Sequence, residues 1–408
     1  MNGFYLKKYI FAACFLVFLL GFSIANAIAG EKALDDLLRE LTRVGSVEDL
    51  NAWIQEAEDS AGGNVLNRMY FVESYGYVQK LLGKKEYDHF AFVKDTDGML
   101  YYGSTAQSST DDLQACADNI RRLNEYVEGR GAHLLVVIPP SKILPGKSQT
   151  DGFLPLNDPN RRVDTFLNLL HGYQVAAADL RIGLGKTPYT QEQLFFKTDH
   201  HWTPLAAFHG MAQIVETVRE RFGDDWDPEG FYCNLENYHQ YTYRQAMLGS
   251  SGRDAGTVYS GLDDYTMLWP RFDTAFTWTD YEHDDIHTGS FTQSLMDKNR
   301  LTVRDWFSGS VNQVYLNEVS EHDRIVNLTR TDGPKLAVLR DSYFSPVACF
   351  LAPMCSELDM VWGKSTCNDM DFDAFIRENT YDYLIVEVYP YNLEEASFAF
   401  FREERRSP

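Results

Sequence analysis

The sequence predicts an α/β fold with a parallel central sheet covered by helices, a β-rich insertion, and an N-terminal membrane helix. Three observations predict it. Short continuous apolar runs at 133–138, 335–339 and 383–388 have the length and composition of strands buried on both faces. Stretches with helical spacing alternate with these runs, the order expected of a parallel sheet with crossover helices. The first thirty residues carry Lys7 and Lys8, no acid, and then an apolar run over 10–29.

That run is close to 20 residues, long enough to span a bilayer as a helix. Basic residues ahead of it favour an inside N-terminus. Ala25-Asn26-Ala27 also fits a signal-peptidase site, so residues 1–30 are a signal anchor or a signal peptide, and either exports the rest of the chain. Residues 31–90 are polar and helical in pattern, a stalk or lead-in. Around 92–103 the pattern turns to strand, with Asp97-Gly98 as the turn signal.

Residues 111–130 have helical spacing through Leu113, Cys116, Ile120, Leu123 and Tyr126. The run 133–138 is a buried strand, 162–170 a helix and 175–179 a further strand. Residues 204–222 form an amphipathic helix with Thr203 as N-cap and Pro204 at its first position. Residues 223–330 are rich in Asp, Tyr, Thr, Gly and Trp and break the rhythm, as an insertion would. After it come a strand at 335–339, a helix from about Pro346 with Ser345 as its cap, a strand at 359–362, a helix at 372–379 and a strand at 383–388. The reading is therefore one catalytic body over 91–408, interrupted at about 223–330.

Lys and Arg number 37 against 59 Asp and Glu, a formal charge of −22 and a pI near 4.8. This disfavours nucleic acid and anionic lipid surfaces as main partners. Cys14 lies in the apolar run. Cys116, Cys233, Cys349, Cys355 and Cys367 contain no C-x-x-C, so neither a zinc site nor a disulfide framework is indicated. Cys355 with Cys367 is one possible bridge, free buried thiols the alternative. No G-x-G-x-x-G or P-loop is present, and no cofactor or metal is expected.

Two stretches carry chemistry. In KTDHHWTP at 197–204, Asp199 and His201 stand two apart. In an extended segment they share a side, and a carboxylate beside an imidazole is the base-and-orienter half of a hydrolase triad. In KLAVLRDSYFSP at 335–346, an apolar strand runs through a polar turn into a helix. That puts Ser342 at the carboxyl end of a parallel strand, where open α/β sheets bind ligands and backbone N–H groups at a helix start can stabilise an oxyanion. Capping and core packing are the plainer alternatives for each stretch alone.

The TDHHWTP and LRDSYFSP stretches resemble the DHHW family of SGNH-hydrolase-like proteins and the related alginate O-acetylation proteins of the bacterial cell envelope. TDGMLYYG at 96–103, LLVVIPPSK at 134–142 and YDYLIVEVY at 381–389 agree, so the resemblance spans about 90–390. It implies an SGNH-like three-layer fold with Ser342 as nucleophile, His201 as general base and Asp199 as its orienter. It also implies Trp202 packed beneath the dyad and Asp341 holding the nucleophile turn. The implied reaction is acyl transfer to a polysaccharide hydroxyl, the acetyl donor arriving through a multi-spanning membrane acyltransferase partner. Arg340 departs from the pattern, standing where a glycine usually precedes Asp-Ser, and is a candidate for tightening the corner or contacting substrate. Gly309 and Asn312 are the oxyanion-donor candidates, and Lys142 and Ser141 candidates for the cleft wall. An esterase with the same triad and a non-catalytic glycan-binding or scaffold protein remain the alternatives.

Overall fold

The computed structural model describes residues 3–29, 39–41, 46, 50, 53–54, 65–104, 109–148, 155–303, 306–307, 314–316, 320–363 and 372–394. It divides into two compact units, Met1–Val78 and Gln79–Pro408. In the first, the helix Gly3–Ala29 contains a stretch, Lys7–Asn26, of mean hydropathy 2.1 and none of it buried. It is long and apolar enough to cross a membrane. The Asn26 carboxamide, near its end, accepts from the Leu66 N–H at 2.6 Å. Of the expected helical stalk or lead-in at 31–90, residues 31–64 lie almost wholly outside the described residues, and the rest holds the helix Arg68–Leu81 and the strand Glu86–Tyr87.

The second unit opens with a small antiparallel sheet, β1 (Glu86–Tyr87), β2 (Phe92–Lys94) and β3 (Leu100–Tyr102). Then follow β4 (His133–Ile138), β5 (Ala177–Asp179), the hairpin β6 (Tyr238–Met247) and β7 (Asp263–Pro270), β8 (Phe276–Asp280), β9 (Asp285–Gly289), β10 (His322–Asn327), β11 (Lys335–Arg340), β12 (Glu357–Trp362) and β13 (Tyr383–Glu387). Eight of these form the main sheet, in the order β5-β4-β13-β11-β12-β10-β8-β9. The pairs from β5 to β12 are parallel, while β10, β8 and β9 extend the sheet antiparallel. The expected parallel sheet is thus present and mostly, not wholly, parallel.

Alternation along the buried strands sorts side chains to two cores. Leu134, Val136, Ala337, Leu339, Leu384 and Val386 meet the helices Leu113–Gly129 and Asn160–Gly172. Leu135, Val137, Leu336, Val338 and Ile385 meet Pro204–Phe222 and Phe344–Leu351. The result is three layers, helices on either side of the sheet. The Thr203 hydroxyl caps Pro204–Phe222 by accepting from the Ala206 N–H, Pro204 occupies the first turn, and Gly223 closes it at φ 81°. The helix is thereby fixed to begin directly behind the Asp-His-His-Trp segment.

Within the region 223–330, β6 and β7 form their own two-stranded sheet, while β8, β9 and β10 extend the main one. The alternating burial of β8 and β10, one face wet, is the pattern of antiparallel strands, and this is what broke the apolar rhythm in the sequence.

Candidate active site

The site forms where two segments meet at the carboxyl ends of the parallel strands. The first is Thr198–Pro204. Asp199 and His201 come together by a bend rather than an extended run: Asp199 Oδ1 accepts the His201 N–H at 2.9 Å, a side-chain-closed turn, and lies 2.6 Å from His201 Nδ1. Its other oxygen accepts the Ser250 N–H at 2.7 Å. Burial alone would raise the Asp199 carboxyl, but the charges of His201 and His200 and the hydrogen bonds from His201 outweigh it, holding the group well below the usual carboxylate range. Asp199 is fully surrounded: a Cβ added at Gly249 would sit 2.2 Å from the Asp199 Cβ, so this loop needs glycine for close approach. Beneath it, Thr198 Oγ1 donates to Asp263 Oδ2 at 2.5 Å and accepts from the Gly249 N–H at 2.8 Å.

The second segment leaves β11. The sequence reading set Ser345 as the cap of a helix starting near Pro346, but the helix begins at Phe344, with Tyr343 at the cap position. The Asp341 carboxylate serves the helix start, accepting from the Tyr343 N–H at 2.9 Å. Pro346 falls in the first turn, where its missing N–H costs no bond. Ser342 is thereby held at the helix entrance, between β11 and Phe344–Leu351. The other Asp341 oxygen accepts from the Tyr389 N–H and the Asn392 carboxamide, both at 3.1 Å, which ties the turn to the end of β13.

His201 Nε2 lies 2.7 Å from Ser342 Oγ. With Asp199 accepting the hydrogen bond from Nδ1–H, Nε2 is left as the acceptor for the serine hydroxyl. The two segments also clasp each other: Trp202 Nε1 donates to the Tyr343 carbonyl at 3.1 Å, and the Tyr343 hydroxyl donates to the His200 carbonyl. Tyr343 stacks on His201 with centroids 4.9 Å apart and on Tyr389 at 4.3 Å. A chain of rings therefore backs the imidazole. Trp202 is buried against Tyr343, with ring centroids 5.5 Å apart.

The cleft beside Ser342 has a volume of about 420 Å³, within the ~300–1,000 Å³ of small-molecule sites. Tyr102, Asn157, His200, Trp362, Tyr389, Tyr391 and Asn392 line it with the Asp341–Tyr343 turn. Asp199, His200 and His201 each offer an atom within 4.8 Å of the others, but the Asp199 oxygens and His201 Nδ1 already serve the hydrogen bonds given above.

Several expected cleft residues lie elsewhere. Arg340 is fully buried, its guanidinium 2.6 Å from Asp323 Oδ1 on β10. It sits on the Leu336–Val338 face of the strand, so it points into the core. Lys142 is buried, donating to the Leu100 and Lys197 carbonyls at 2.7 and 3.0 Å, and it borders a small cavity of about 10 Å³. Ser141 is also buried, its Oγ accepting from the Ile143 N–H. Gly309 and Asn312, like Cys367, lie outside the described residues. Among the described residues, Cys116, Cys349 and Cys355 are buried free thiols.

Sequence reasoning did not single out Tyr343, Tyr389, Tyr391, Asn392 or the Gly249-Ser250 loop. A signal existed for Tyr389–Asn392, which follow the apolar run 383–388 and so leave a parallel strand at its ligand-binding edge. None marked Gly249-Ser250.

Against known proteins, residues 93–250 match a family model described as an SGNH hydrolase-like domain of acetyltransferase AlgX. No curated protein sequence matches the chain. A structure of PatB1 from Bacillus cereus carrying a sulfonyl adduct superposes with a TM-score of 0.60 at 18% identity, covering 76% of this chain and 97% of that one. A DHHW family protein from Eubacterium siraeum gives 0.56 at 17% identity, covering 76% and 98%. The fold is SGNH hydrolase-like, and the resemblance drawn from TDHHWTP and LRDSYFSP is borne out.

Proposed function

We propose that this chain, on its SGNH hydrolase-like fold, is an extracytoplasmic O-acyltransferase, an O-acetyltransferase in its main activity, that modifies a cell-surface polysaccharide through Ser342, His201 and Asp199. The observation that carries the reading is the continuous array from Asp199 through His201 to Ser342, with contacts of 2.6 and 2.7 Å. Such contacts are within the reach needed for proton transfer and nucleophile activation. The match of residues 93–250 to an acetyltransferase family supports the acyl chemistry.

The steps follow from the geometry. Ser342 Oγ attacks the acyl carbonyl while its proton passes to His201 Nε2, and Asp199 steadies the imidazolium that forms. The oxyanion develops beside the Ser342 N–H at the start of Phe344–Leu351. Collapse breaks the bond to the leaving group, which takes the proton from His201, and leaves an ester on Ser342. A sugar hydroxyl then gives its proton to His201 and attacks that ester, and collapse breaks the ester bond to Ser342 Oγ, which takes the proton back from His201, forming the acylated sugar and freeing Ser342. An exported body has no access to cytoplasmic acyl donors, so a multi-spanning membrane acyltransferase supplies the acyl group. Residues 1–30 act as signal anchor or signal peptide and 91–408 as the catalytic body.

The test uses full-length protein in detergent with p-nitrophenyl acetate, with and without oligosaccharide acceptors. Ser342→Ala and His201→Ala are each expected to lower turnover by about 10³-fold or more. A sulfonyl fluoride is expected to add mass at Ser342, as PatB1 carries a sulfonyl adduct. Equal turnover in wild type and both variants sinks the triad. Turnover that depends on Ser342 but leaves every sugar unacetylated assigns the esterase activity instead.

A further inference from the structure

We infer that the cleft beside Ser342 selects an uncharged pyranose, a neutral hexose or N-acetylhexosamine unit, as acyl acceptor and discriminates against uronate-bearing chains. The inference rests on the acyl-transfer reading of Ser342 and names the acceptor class for that same site.

The wall of the cleft is aromatic and amide. Tyr102 and Tyr391 meet edge to face at 5.1 Å, Tyr391 and Tyr389 follow at 5.3 Å, and the Asn157 and Asn392 side chains stand beside them. Ring faces with neutral donors and acceptors suit the apolar face and hydroxyl edge of an uncharged sugar. The fixed charge around the nucleophile is negative. Asp341 lines the cleft and Asp199 is buried directly behind His201. Burial, then Asp199 and Asp254, push the Tyr102 hydroxyl up to about 12. Burial, then Asp158 and Tyr102, push up Tyr391.

Among the described residues, three cations that could reverse that field are committed elsewhere. Arg340 is paired with Asp323 inside the core, and Lys142 is held by two backbone carbonyls. Lys197 Nζ pairs with Glu192 at 2.9 Å and donates to the Asp97 carbonyl at 3.0 Å. A uronate carboxylate entering the cleft loses solvent and meets carboxylates of like charge, on a chain whose net charge is −22. A neutral ring carries no charge to desolvate and meets no like-charge repulsion.

The experiment offers full-length protein p-nitrophenyl acetate with N-acetylglucosamine oligomers, neutral glucan oligomers or uronate oligomers of equal length. Acetylated sugar is counted by mass spectrometry, and acetyl on Ser342 is followed in the same samples. Neutral oligomers are expected to show kcat/KM at least about tenfold above uronates at low salt, a gap that narrows as salt screens the repulsion. Asn157→Lys is expected to raise uronate transfer by about tenfold, since it puts a counter-charge in the wall. Uronate acetylated as well as, or better than, the neutral oligomers at low salt overturns the inference. Acetyl-Ser342 with no sugar acetylated also overturns it, while leaving the nucleophile assigned. Absence of acetyl-Ser342 in every sample instead defeats the acyl-transfer reading itself.

Discussion

The two halves of the main sheet are built differently. In the parallel half, β4, β11 and β13 are buried nearly end to end and packed by helices on both faces. In the antiparallel half, β8 and β10 bury alternate side chains and β9 buries none. Yet the antiparallel half supplies Asp323, the counter-ion for Arg340 immediately before the Ser342 turn. Asp323 also accepts from Trp278 Nε1 at 3.0 Å, which ties β8 into the same arrangement. The comparison teaches that the wetter half supports the site through charge pairing, whereas the drier half supports it through packing.

The largest test breaks that link. Asp323→Ala leaves the Arg340 charge buried without its carboxylate and is expected to cost about 3–5 kcal/mol, read by urea unfolding. Replacing both partners, Asp323→Leu with Arg340→Met, is expected to restore most of that stability. A double variant as unstable as the single one would show that the pair itself is not the source. Next comes Leu135→Ala in β4, a fully buried position. It is expected to cost about 2–5 kcal/mol by the same measurement. Ile286→Ala in β9, 62% exposed, is expected to stay within about 0.5 kcal/mol. Comparable losses at both positions would erase the contrast between the halves.

The smallest effect is one of pH. Glu387, at the end of β13, accepts from the Asp341 N–H at 2.9 Å. Burial, then the Asp341 charge, raise its carboxyl well above the ordinary value of 4.5. The unfolded chain releases this proton near 4.5, whereas the folded chain retains it to higher pH. Folding stability therefore declines as pH rises above that value. Asp199 behaves oppositely: its contribution is present above the ordinary carboxylate value of 3.8 and is lost as pH falls through its lower folded value. Glu387→Gln keeps a neutral donor in place. Its melting temperature is expected to match wild type near pH 5 and exceed it near pH 8; equal curves at both pH values would remove the carboxyl from the account.

The parallel half was legible because buried strands read as continuous apolar runs and their helices as periodic ones. The antiparallel half was legible only as a β-rich insertion, because residues such as Thr277, Thr279 and Arg324 on its wet face hid the place of its strands in the main sheet. Asp199 with His201 was readable from a spacing of two, although a turn rather than an extended run brings them together. Arg340 misled because its charge suggested a cleft, whereas its place two residues beyond Val338 assigned it to the buried face. Tyr102, Ser250 and Asn392 reach the site from segments far apart in sequence, and no local pattern encodes such meetings.

The position of β13 ties the sheet and the Ser342 turn to one late segment of the chain. It is the last of the described strands in the chain, yet it lies between β4 and β11, and the residues just after it hold Asp341. The ladder from β4 to β11 is continuous only through this strand, so it rests on contacts about 250 residues apart in sequence, such as Leu384 with Leu134. Displacing this one segment would therefore open the sheet and release the Ser342 turn together.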